Sequence, residues 1–372
     1  MVDSNQVDVI VVGAGPAGIG VSVLLKKMGL NFIILERDDI GASFKKWPME
    51  TRFISPSFSG NFFKVADLNA ITPDTSPALT LLTEHPTGMD YVVYLERVAM
   101  FHELPIYKGV NVNSVKKEKN TFVLSTSLGT YSCEYLIWAA GEFQYPKTHG
   151  FPGIDLCRHY TEIDSFSTLE GDDHIVIGAF ESGFDAAINL AKEGKNVTLL
   201  DDSNYLELVK SDSSYSLSPF TRDRAQEVMH QLDYHPGTLV IDIEREDDQY
   251  LVKTMTGETF TSAQKPINCT GFASSLSLVE DLFLFKKGYV LLSELDESIE
   301  TKNMFLVGPQ VKHQNALFCF IYKYRQRFAI VAEAIAKRKK VRRRIILDTL
   351  KDYKENNFYL QDLSCCDDEC VC

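Results

Sequence analysis

The chain lacks a long hydrophobic run. Nowhere in its 372 residues does an apolar stretch approach the roughly 20 needed to cross a bilayer, so no membrane span is expected. Positive charge is also short. Lys and Arg number 38 against 51 Asp and Glu, and the net charge of −13 makes nucleic acid a poor partner. The opening MVDSNQVDVI has neither the charged and apolar regions of a signal peptide nor the Arg-rich character of a transit peptide. Cysteine is sparse along most of the length. Cys133, Cys157, Cys269 and Cys319 are scattered and four more crowd the last residues, which is not the spacing of a disulfide-stapled secreted domain. A cytoplasmic protein is expected. Low-complexity tracts are absent too. What remains, 45% hydrophobic and 24% charged, is ordinary for a globular enzyme, and the length suits two or three domains.

The most informative segment that is present runs from Val7 to Glu36, VDVIVVGAGPAGIGVSVLLKKMGLNFIILE. An apolar run enters a glycine turn, an apolar helix pattern follows, and a second apolar run ends in an acid. This is the pattern of a βαβ unit that holds a dinucleotide. Gly13 permits the tight turn, Gly15 lets a pyrophosphate approach the backbone, and Gly18 lets helix and strand pack closely. The helix starting at Pro16 and Ala17 offers free N–H groups and a positive dipole end to phosphate. Glu36, 18 residues beyond Gly18 and followed by Arg37, is placed to accept hydrogen bonds from a ribose.

A second such pattern occupies the middle of the chain: a strand from His174 to Ile177, a turn at Gly178, a helix from Ser182 to Lys192, and a strand from Asn196 ending at Asp201 and Asp202. Short β-type runs at Phe122–Ser125 and Tyr131–Trp138, and again at Leu239–Ile243 and Tyr250–Thr254, predict a small antiparallel meander attached to each unit. The segment 43–90, rich in Ser, Pro, Thr and Phe, is a long irregular insertion of the kind that carries function. Met304–Val307 predicts a buried strand leading to Gly308-Pro309, and a helix is expected from about Leu317 to Lys337. The expected fold is α/β with two Rossmann-like dinucleotide-binding domains. The first is discontinuous, 1–150 and 273–372, and the second spans 151–272.

This order of motifs resembles the flavoproteins with two dinucleotide domains, the thioredoxin-reductase-like enzymes and flavin-containing monooxygenases. Besides Gly13–Glu36, the likeness rests on three further stretches. Gly41-Ala42-Ser43-Phe44-Lys45-Lys46-Trp47-Pro48 is similar to the Gly-x-x-Trp-x-x-x-x-Pro region of the monooxygenases. Tyr135-Leu136-Ile137-Trp138-Ala139-Ala140-Gly141 resembles the strand that crosses between domains, and Asn268-Cys269-Thr270-Gly271-Phe272 the return crossover. The likeness covers about residues 7–335. Asn315-Ala316, Cys319, Ile321-Tyr322-Lys323, Arg325 and the ending Ser364-Cys365-Cys366 with Cys370 and Cys372 are similar to a small bacterial group described as flavin monooxygenases or as accessory to cation efflux.

The resemblance implies FAD, held at Gly13, Gly15, Gly18, Glu36, Ser43, Phe44, Trp47, Ala140, Gly141 and Gly308, with the flavin performing the redox chemistry. It implies a nicotinamide nucleotide at Gly178, Ser182, Gly183, Asp201 and Gly271. Phe180 replaces the second glycine of that turn, and Glu181 adds negative charge. Asp201 and Asp202 disfavour a 2′-phosphate, so NADH is preferred over NADPH unless Arg222 or Arg224 swings in. Asn315, Tyr322 and Lys323 are the candidate catalytic residues, Asn315 at a helix N-terminus either stabilising the reduced ring or simply capping.

Neither Cys-x-x-Cys nor Cys-x4-Cys occurs, and the Baeyer–Villiger motif is broken: Phe151-Pro152-Gly153 is followed by Cys157 at the histidine position, with His159 two residues later. Cys365, Cys366, Cys370 and Cys372 are candidate ligands for a thiophilic metal, or belong to a plain reduced tail. Leu363–Cys366 is similar to the ending of mercuric reductases. The block KRKKVRRR, 337–344, reads as a solvated helix end. The expected activity is FAD-dependent oxidation or reduction driven by NAD(P)H, monooxygenase-like on a small molecule with oxygen. The alternatives are a low-molecular-weight disulfide or metal-linked reductase, and a non-catalytic flavin- and metal-binding accessory protein. A homodimer suits this architecture.

Overall fold

The computed structural model describes residues 6–58, 66–210 and 212–364. In chain order it begins with β1 (Gln6–Val12), α1 (Pro16–Lys27) and β2 (Phe32–Leu35), followed by the short helices α2 (Ala42–Lys45) and α3 (Pro77–Leu81). Next comes α4 (Gly88–Phe101), which opens on a capping box between Thr87 and Asp90. The edge strand β3 (Ile106–Tyr107) leads to a meander of β4 (Val112–Glu118), β5 (Thr121–Thr126) and β6 (Gly129–Trp138). The middle of the chain contributes β7 (Arg158–His159), β8 (Asp173–Ile177), α5 (Glu181–Lys192), β9 (Asn196–Asp201), α6 (Pro219–Val228) and β10 (Leu232–Pro236). A second meander, β11 (Val240–Glu246), β12 (Gln249–Thr254) and β13 (Thr259–Ser262), precedes β14 (Ile267–Asn268). The last part holds the hairpin β15 (Leu284–Lys286) and β16 (Tyr289–Leu291), the strand β17 (Met304–Leu306), the hairpin β18 (Lys312–His313) and β19 (Ala316–Leu317), and the helices α7 (Ile321–Arg338) and α8 (Arg343–Glu355).

Two large sheets result. The first has the order β3-β2-β1-β6-β5-β4, with β17 also paired to β6. β1, β2, the end of β6 and β17 are mutually parallel. Their residues Val9–Val12, Phe32–Leu35, Tyr135–Trp138 and Met304–Leu306 are all buried, as strands covered on both faces require. The second sheet, β10-β9-β8-β14-β7, is parallel throughout. This is an α/β fold with two Rossmann-like regions, each with its own meander.

Two compact units emerge. One takes the described residues of 1–45, 56–142 and 274–372, the other those of 46–55 and 143–273. The segment 46–55 therefore differs from its expected place with the first domain. Hydrogen bonds explain why. The Thr51 hydroxyl and the Tyr160 phenol both donate to Asp185 Oδ2, at 2.7 and 2.8 Å, and Met49 N donates to Asp164 O at 2.9 Å.

In the first unit α1 and α7 lie side by side. A Cβ on Gly20 would come within 2.2 Å of the Phe328 ring, so only glycine admits this approach. Each helix follows a parallel strand, β1 or β17, so both begin at the same edge of the sheet. The other end of α7 confirms the direction: Lys339 binds Asp8, in β1, at 2.9 Å and Glu134 at 3.2 Å. The helix does not start as early as Leu317. The hairpin β18–β19 intervenes, with Gln314 at φ 52 in its turn and His313 Nε2 held 2.5 Å from Asp296 Oδ1. Gly308 therefore opens a loop and a hairpin rather than the helix.

The turn of the second unit is packed as tightly as that of the first. A methyl carbon on Gly183 would lie 1.8 Å from Gly178 O. Gly183→Ala is expected to lower stability by about 1–3 kcal/mol, read as an earlier denaturation midpoint. An unchanged midpoint would mean that helix and strand are not in contact there.

Candidate functional site

Because β1, β2, β6 and β17 are parallel, the residues that follow them gather at one sheet edge: Gly13, Glu36, Ala139 and Val307–Gly308. A Cβ on Gly13 would be 2.5 Å from Ala139 O and 3.2 Å from Ala140 Cα, and one on Gly18 would be 1.9 Å from Gly13 O. Gly308 sits against Ala17, its missing Cβ 3.3 Å from that side chain. Gly41 N donates to Ala14 O at 3.0 Å, so the turn that carries Ser43 and Phe44 is tied to the same loop. Gly15 differs from these. Nothing lies within 4 Å of its missing Cβ, so no protein atom requires a glycine here, and the space is open to a ligand.

The electrostatics suit an anion. α1 starts at Pro16 with no side-chain cap and no acid in its first turn, so its first N–H groups and its dipole face outward. Glu36 is buried, 7% exposed. Its Oε2 accepts from Ala14 N at 2.7 Å and its Oε1 from Asp38 N at 2.8 Å. Burial raises its pKa, and the two N–H groups act against that rise. Each oxygen keeps lone pairs for a ribose hydroxyl. Open space at Gly15, an uncapped helix and a buried carboxylate together fit the adenosine diphosphate part of FAD. The Arg37 Nε lies 3.6 Å from Asp38 Oδ2.

The remaining expected flavin contacts divide between the units. Phe44 packs on Tyr91 at 5.0 Å in the first. Trp47 belongs to the second, packed on Phe53 at 5.0 Å and Phe143 at 6.4 Å. Gly141 has a positive φ of 65° at the exit from β6.

The second unit repeats the first turn with one change. A Cβ on Gly178 would lie 2.8 Å from Cys269 O, as one on Gly13 would press on Ala139 O, and one on Gly183 would strike Gly178 O as one on Gly18 would strike Gly13 O. Ser182 O accepts from the Cys269 thiol at 3.6 Å. Gly271, at φ 104, follows β14 where the strand order reverses, the usual place for a dinucleotide. Phe180 stands at the N-cap of α5 where α1 has Gly15, and its ring packs on Tyr205 at 5.1 Å. Glu181 does not face the turn. It accepts from Ser218 N at 2.5 Å and Thr221 Oγ1 at 2.6 Å and so ties α5 to the first turn of α6, which Ser218 caps; burial raises its carboxyl pKa.

Asp201 departs from its expected role at a ribose. It is fully buried and accepts from Ser203 N and Tyr205 N, each at 2.9 Å, and from Tyr234 OH at 2.5 Å. It anchors the turn after β9, and Asp202 is the exposed acid beside it. Neither arginine is free to reach a phosphate. Arg222 donates to the carbonyls of Leu206 and Leu208, and Arg224 pairs with Asp185 at 3.0 Å.

At the start of α7, Asn315 lies exposed in the turn between β18 and β19. It does not cap the helix; Phe320 holds that position. The reason is the hairpin, which puts residue 315 in its turn, ahead of β19 and of the helix start. The Tyr322 ring stacks on Phe320 at 5.2 Å. Lys323 is 7% exposed, its Nζ 3.5 Å from Leu317 O, and sets a buried cation at the edge where the dinucleotide turn lies. Sequence reasoning missed Glu142. Burial pushes its carboxyl up to about 7, with no hydrogen bond from the described residues to offset the cost. The available signal was an acid placed directly after the apolar run that ends at Gly141.

Three thiols are core residues. Burial pushes Cys133 and Cys157 up to about 12, and Cys269 higher still. His159 is a satisfied linker residue, with Nε2 3.0 Å from Gly271 O and Nδ1 3.0 Å from Thr161 Oγ1. In the basic block, Arg338 binds Glu297 at 2.7 Å and Lys339 joins Asp8 and Glu134, so part of it is structural. The candidate metal ligands Cys365, Cys366, Cys370 and Cys372 lie outside the described residues. Among the described residues no cluster of His, Cys, Asp and Glu is arranged to hold a metal ion, and no helix is long and apolar enough to cross a membrane.

The family described as pyridine nucleotide-disulphide oxidoreductase matches residues 10–308, and the chain belongs to it. The bacilliredoxin reductase Bdr of Bacillus subtilis is 29% identical over 199 residues, 54% of this chain and 58% of that protein. The oxidoreductase CzcO of Bacillus subtilis, uncharacterized, is 31% identical over 211 residues, 54% of this chain and 55% of that protein. The chain thus spans little more than half the length of the curated relatives it matches. Among solved structures, the bacillithiol disulfide reductase Bdr (YpdA) from Staphylococcus aureus has a TM-score of 0.74 at 22% identity, covering 90% of this chain and 99% of that one. That likeness is one of fold. Membership of this family is membership of a group of oxidoreductases that use a pyridine nucleotide.

Asp201→Asn should reduce stability by about 1–3 kcal/mol, through the loss of a buried acceptor, and leave the NADH-to-NADPH ratio of kcat/KM within about twofold. A tenfold shift in that ratio at unchanged stability would restore Asp201 to the ribose. Glu142 has a separate signature. Its folded pKa is raised from 4.5 to about 7, so the stability it contributes is complete below 4.5 and is lost as pH rises through 7. Denaturation curves from acid to neutral pH should show the native chain losing stability relative to Glu142→Gln. Parallel curves would exclude this.

Proposed function

We propose that the chain reduces a low-molecular-weight disulfide with electrons from NAD(P)H: one disulfide and one NAD(P)H, with a proton, give two thiols and NAD(P)+. The observation that carries this reading is the sequence match to a protein named as a bacilliredoxin reductase. The full-length likeness of fold to a bacillithiol disulfide reductase agrees with it. The oxygen-transfer reading drawn from the sequence has less support. In the linker, Cys157 and His159, the two residues near the monooxygenase histidine position, are both buried, and the His159 ring nitrogens are engaged by Gly271 O and Thr161.

Bound FAD supplies the two-electron transfer between nicotinamide and substrate. The chain's residues have separate tasks. Gly15, the start of α1 and Glu36 hold the adenosine diphosphate. Lys323 contributes a buried positive charge at that edge. Glu142, with a carboxyl near neutrality, exchanges the proton that a leaving thiolate needs. Any preference for NADH rests on Asp202, since Asp201 is occupied.

The test is anaerobic turnover of the flavin-loaded protein with NADH or NADPH and a panel of disulfides, oxidised glutathione and bacillithiol disulfide included. Two thiols should appear for each nicotinamide oxidised. Nicotinamide oxidation that requires oxygen and releases no thiol would defeat the proposal and favour oxygen transfer.

A further inference from the structure

The cysteines among the described residues are not equally placed to open a disulfide. Cys133, Cys157 and Cys269 are buried in β6 or beside β7 and β14, with thiols that burial keeps protonated. Cys319 belongs to no strand. It is half-buried between β19 and α7, directly before Phe320, the N-cap of the helix.

The start of α7 is favourable ground for a negative sulfur. The helix has no side-chain cap and no acid in its first turn, so the positive end of its dipole lies beside Cys319. Lys323 is buried in the same turn, and its Nζ reaches back to Leu317 O at 3.5 Å, two residues before the thiol. A helix start and a nearby cation are the surroundings in which a thiolate is stabilised.

A second, independent feature marks the same place. Tyr324 is only 4% exposed, yet its hydroxyl has no hydrogen-bond partner among the described residues. With Phe320 as N-cap, Cys319 and Tyr324 occupy N′ and N4, the two positions whose side chains meet across the start of a helix. Burial raises the pKa of the phenol, and negative charge at Cys319 and at Glu142 raises it further, while the Arg325 guanidinium acts the other way. Glu142 arrives from the sheet, four residues past the end of β6, the strand that pairs with β17. All of these residues belong to one compact unit. A phenol kept protonated thus stands as a buried donor facing a sulfur and a carboxyl.

We propose that Cys319 is the nucleophile that opens the disulfide substrate, with Tyr324 donating to its sulfur and Glu142 supplying the proton to the thiol that leaves. This rests on the disulfide-reductase reading above. The Cys319 thiolate attacks one sulfur of the substrate. A bond from Cys319 Sγ to that sulfur forms, the substrate S–S bond breaks, and the displaced thiolate takes the proton of the Glu142 carboxyl. Two electrons from NAD(P)H then cleave the mixed disulfide, which restores the Cys319 thiolate and releases the second substrate thiol with a proton. The hydride of NAD(P)H accounts for one of the two protons, and one from solution recharges Glu142. One disulfide, one NAD(P)H and one proton give two thiols and NAD(P)+. A single protein thiol suffices, so the mixed disulfide accumulates when nicotinamide is withheld.

The experiment uses the flavin-loaded full chain. It is incubated anaerobically with oxidised glutathione or bacillithiol disulfide and no nicotinamide, then digested and mapped by mass spectrometry. One substrate thiol should be found on the peptide that carries Cys319, and NADH or NADPH should discharge it. In Cys319→Ser and in Cys319→Ala that adduct should be absent, and thiol release in turnover should fall at least tenfold. Tyr324→Phe keeps the ring in the core and provides a readout that packing does not move. The pH midpoint for alkylation of Cys319 by iodoacetamide should rise by about one unit, the effect of removing one hydrogen bond to a thiolate.

Wild-type disulfide turnover in both Cys319 variants, or adducts confined to other cysteines, would overturn the inference and leave the disulfide-reductase reading standing. An unmoved alkylation midpoint in Tyr324→Phe would overturn the part given to Tyr324. A Cys319 adduct that neither nicotinamide discharges, with no thiol released in turnover, would defeat the reductase reading and leave Cys319 as a nucleophile toward disulfides.

Discussion

The structure depends on one steric constraint, the crossing of a helix over the strand that precedes it with no side chain between them. Gly18 lies on Gly13 O, and Gly13 lies on Ala139 O. A single Cβ at either position would push α1 off β1, and α1 would no longer present its N-terminus at the sheet edge. Ala17 would then lose Gly308, and Ala14 would lose both Glu36 and Gly41. The same constraint is met a second time by Gly183, Gly178 and Cys269 O, so each Rossmann-like region is organised from its turn outward.

Given that frame, the chemistry is set by what each carboxylate has to do. Glu36, Glu181, Asp201 and Glu142 all sit near a strand end or turn, and in sequence they look alike. Glu36 binds two backbone N–H groups and keeps capacity for a ribose. Glu181 binds the Ser218 N–H and the Thr221 hydroxyl at the start of α6. Asp201 is filled by three donors and holds its loop in shape. Glu142 has no donor among the described residues, and burial raises its proton affinity toward neutrality. A carboxylate's role here follows from the count of donors around it, because each donor both fixes its orientation and lowers its pKa.

The segment 46–55 shows how hydrogen bonding can override chain order. It follows the first βαβ unit in sequence, yet the Thr51, Tyr160 and Asp185 triad, closed by Arg224, binds it into the second unit. Trp47 goes with it and packs on Phe53 and Phe143. Cys133, in β6, and Cys157 and Cys269, each next to a strand, serve as small apolar core residues.

Much of this was legible in the sequence. The two glycine turns, the strands on either side and the crossovers at Ala139–Gly141 and Asn268–Phe272 all announce themselves, because local periodicity and the absence of a Cβ are properties of single positions and short windows. So the fold class and the dinucleotide edge were determined by sequence alone. The start of α7 was misplaced, since an apolar stretch from Leu317 reads equally as strand or helix until Lys312–His313 pairs with it. Asp201 reads as a ribose ligand, and Arg222 and Arg224 as cations that could swing in to a phosphate, because a charge has no visible partner in one dimension. Only the tertiary structure brings Tyr234 to Asp201, and Asp185 to Arg224, across long sequence separations. Those long-range donors and acceptors decide which charged groups are spent on the fold and which remain for a ligand.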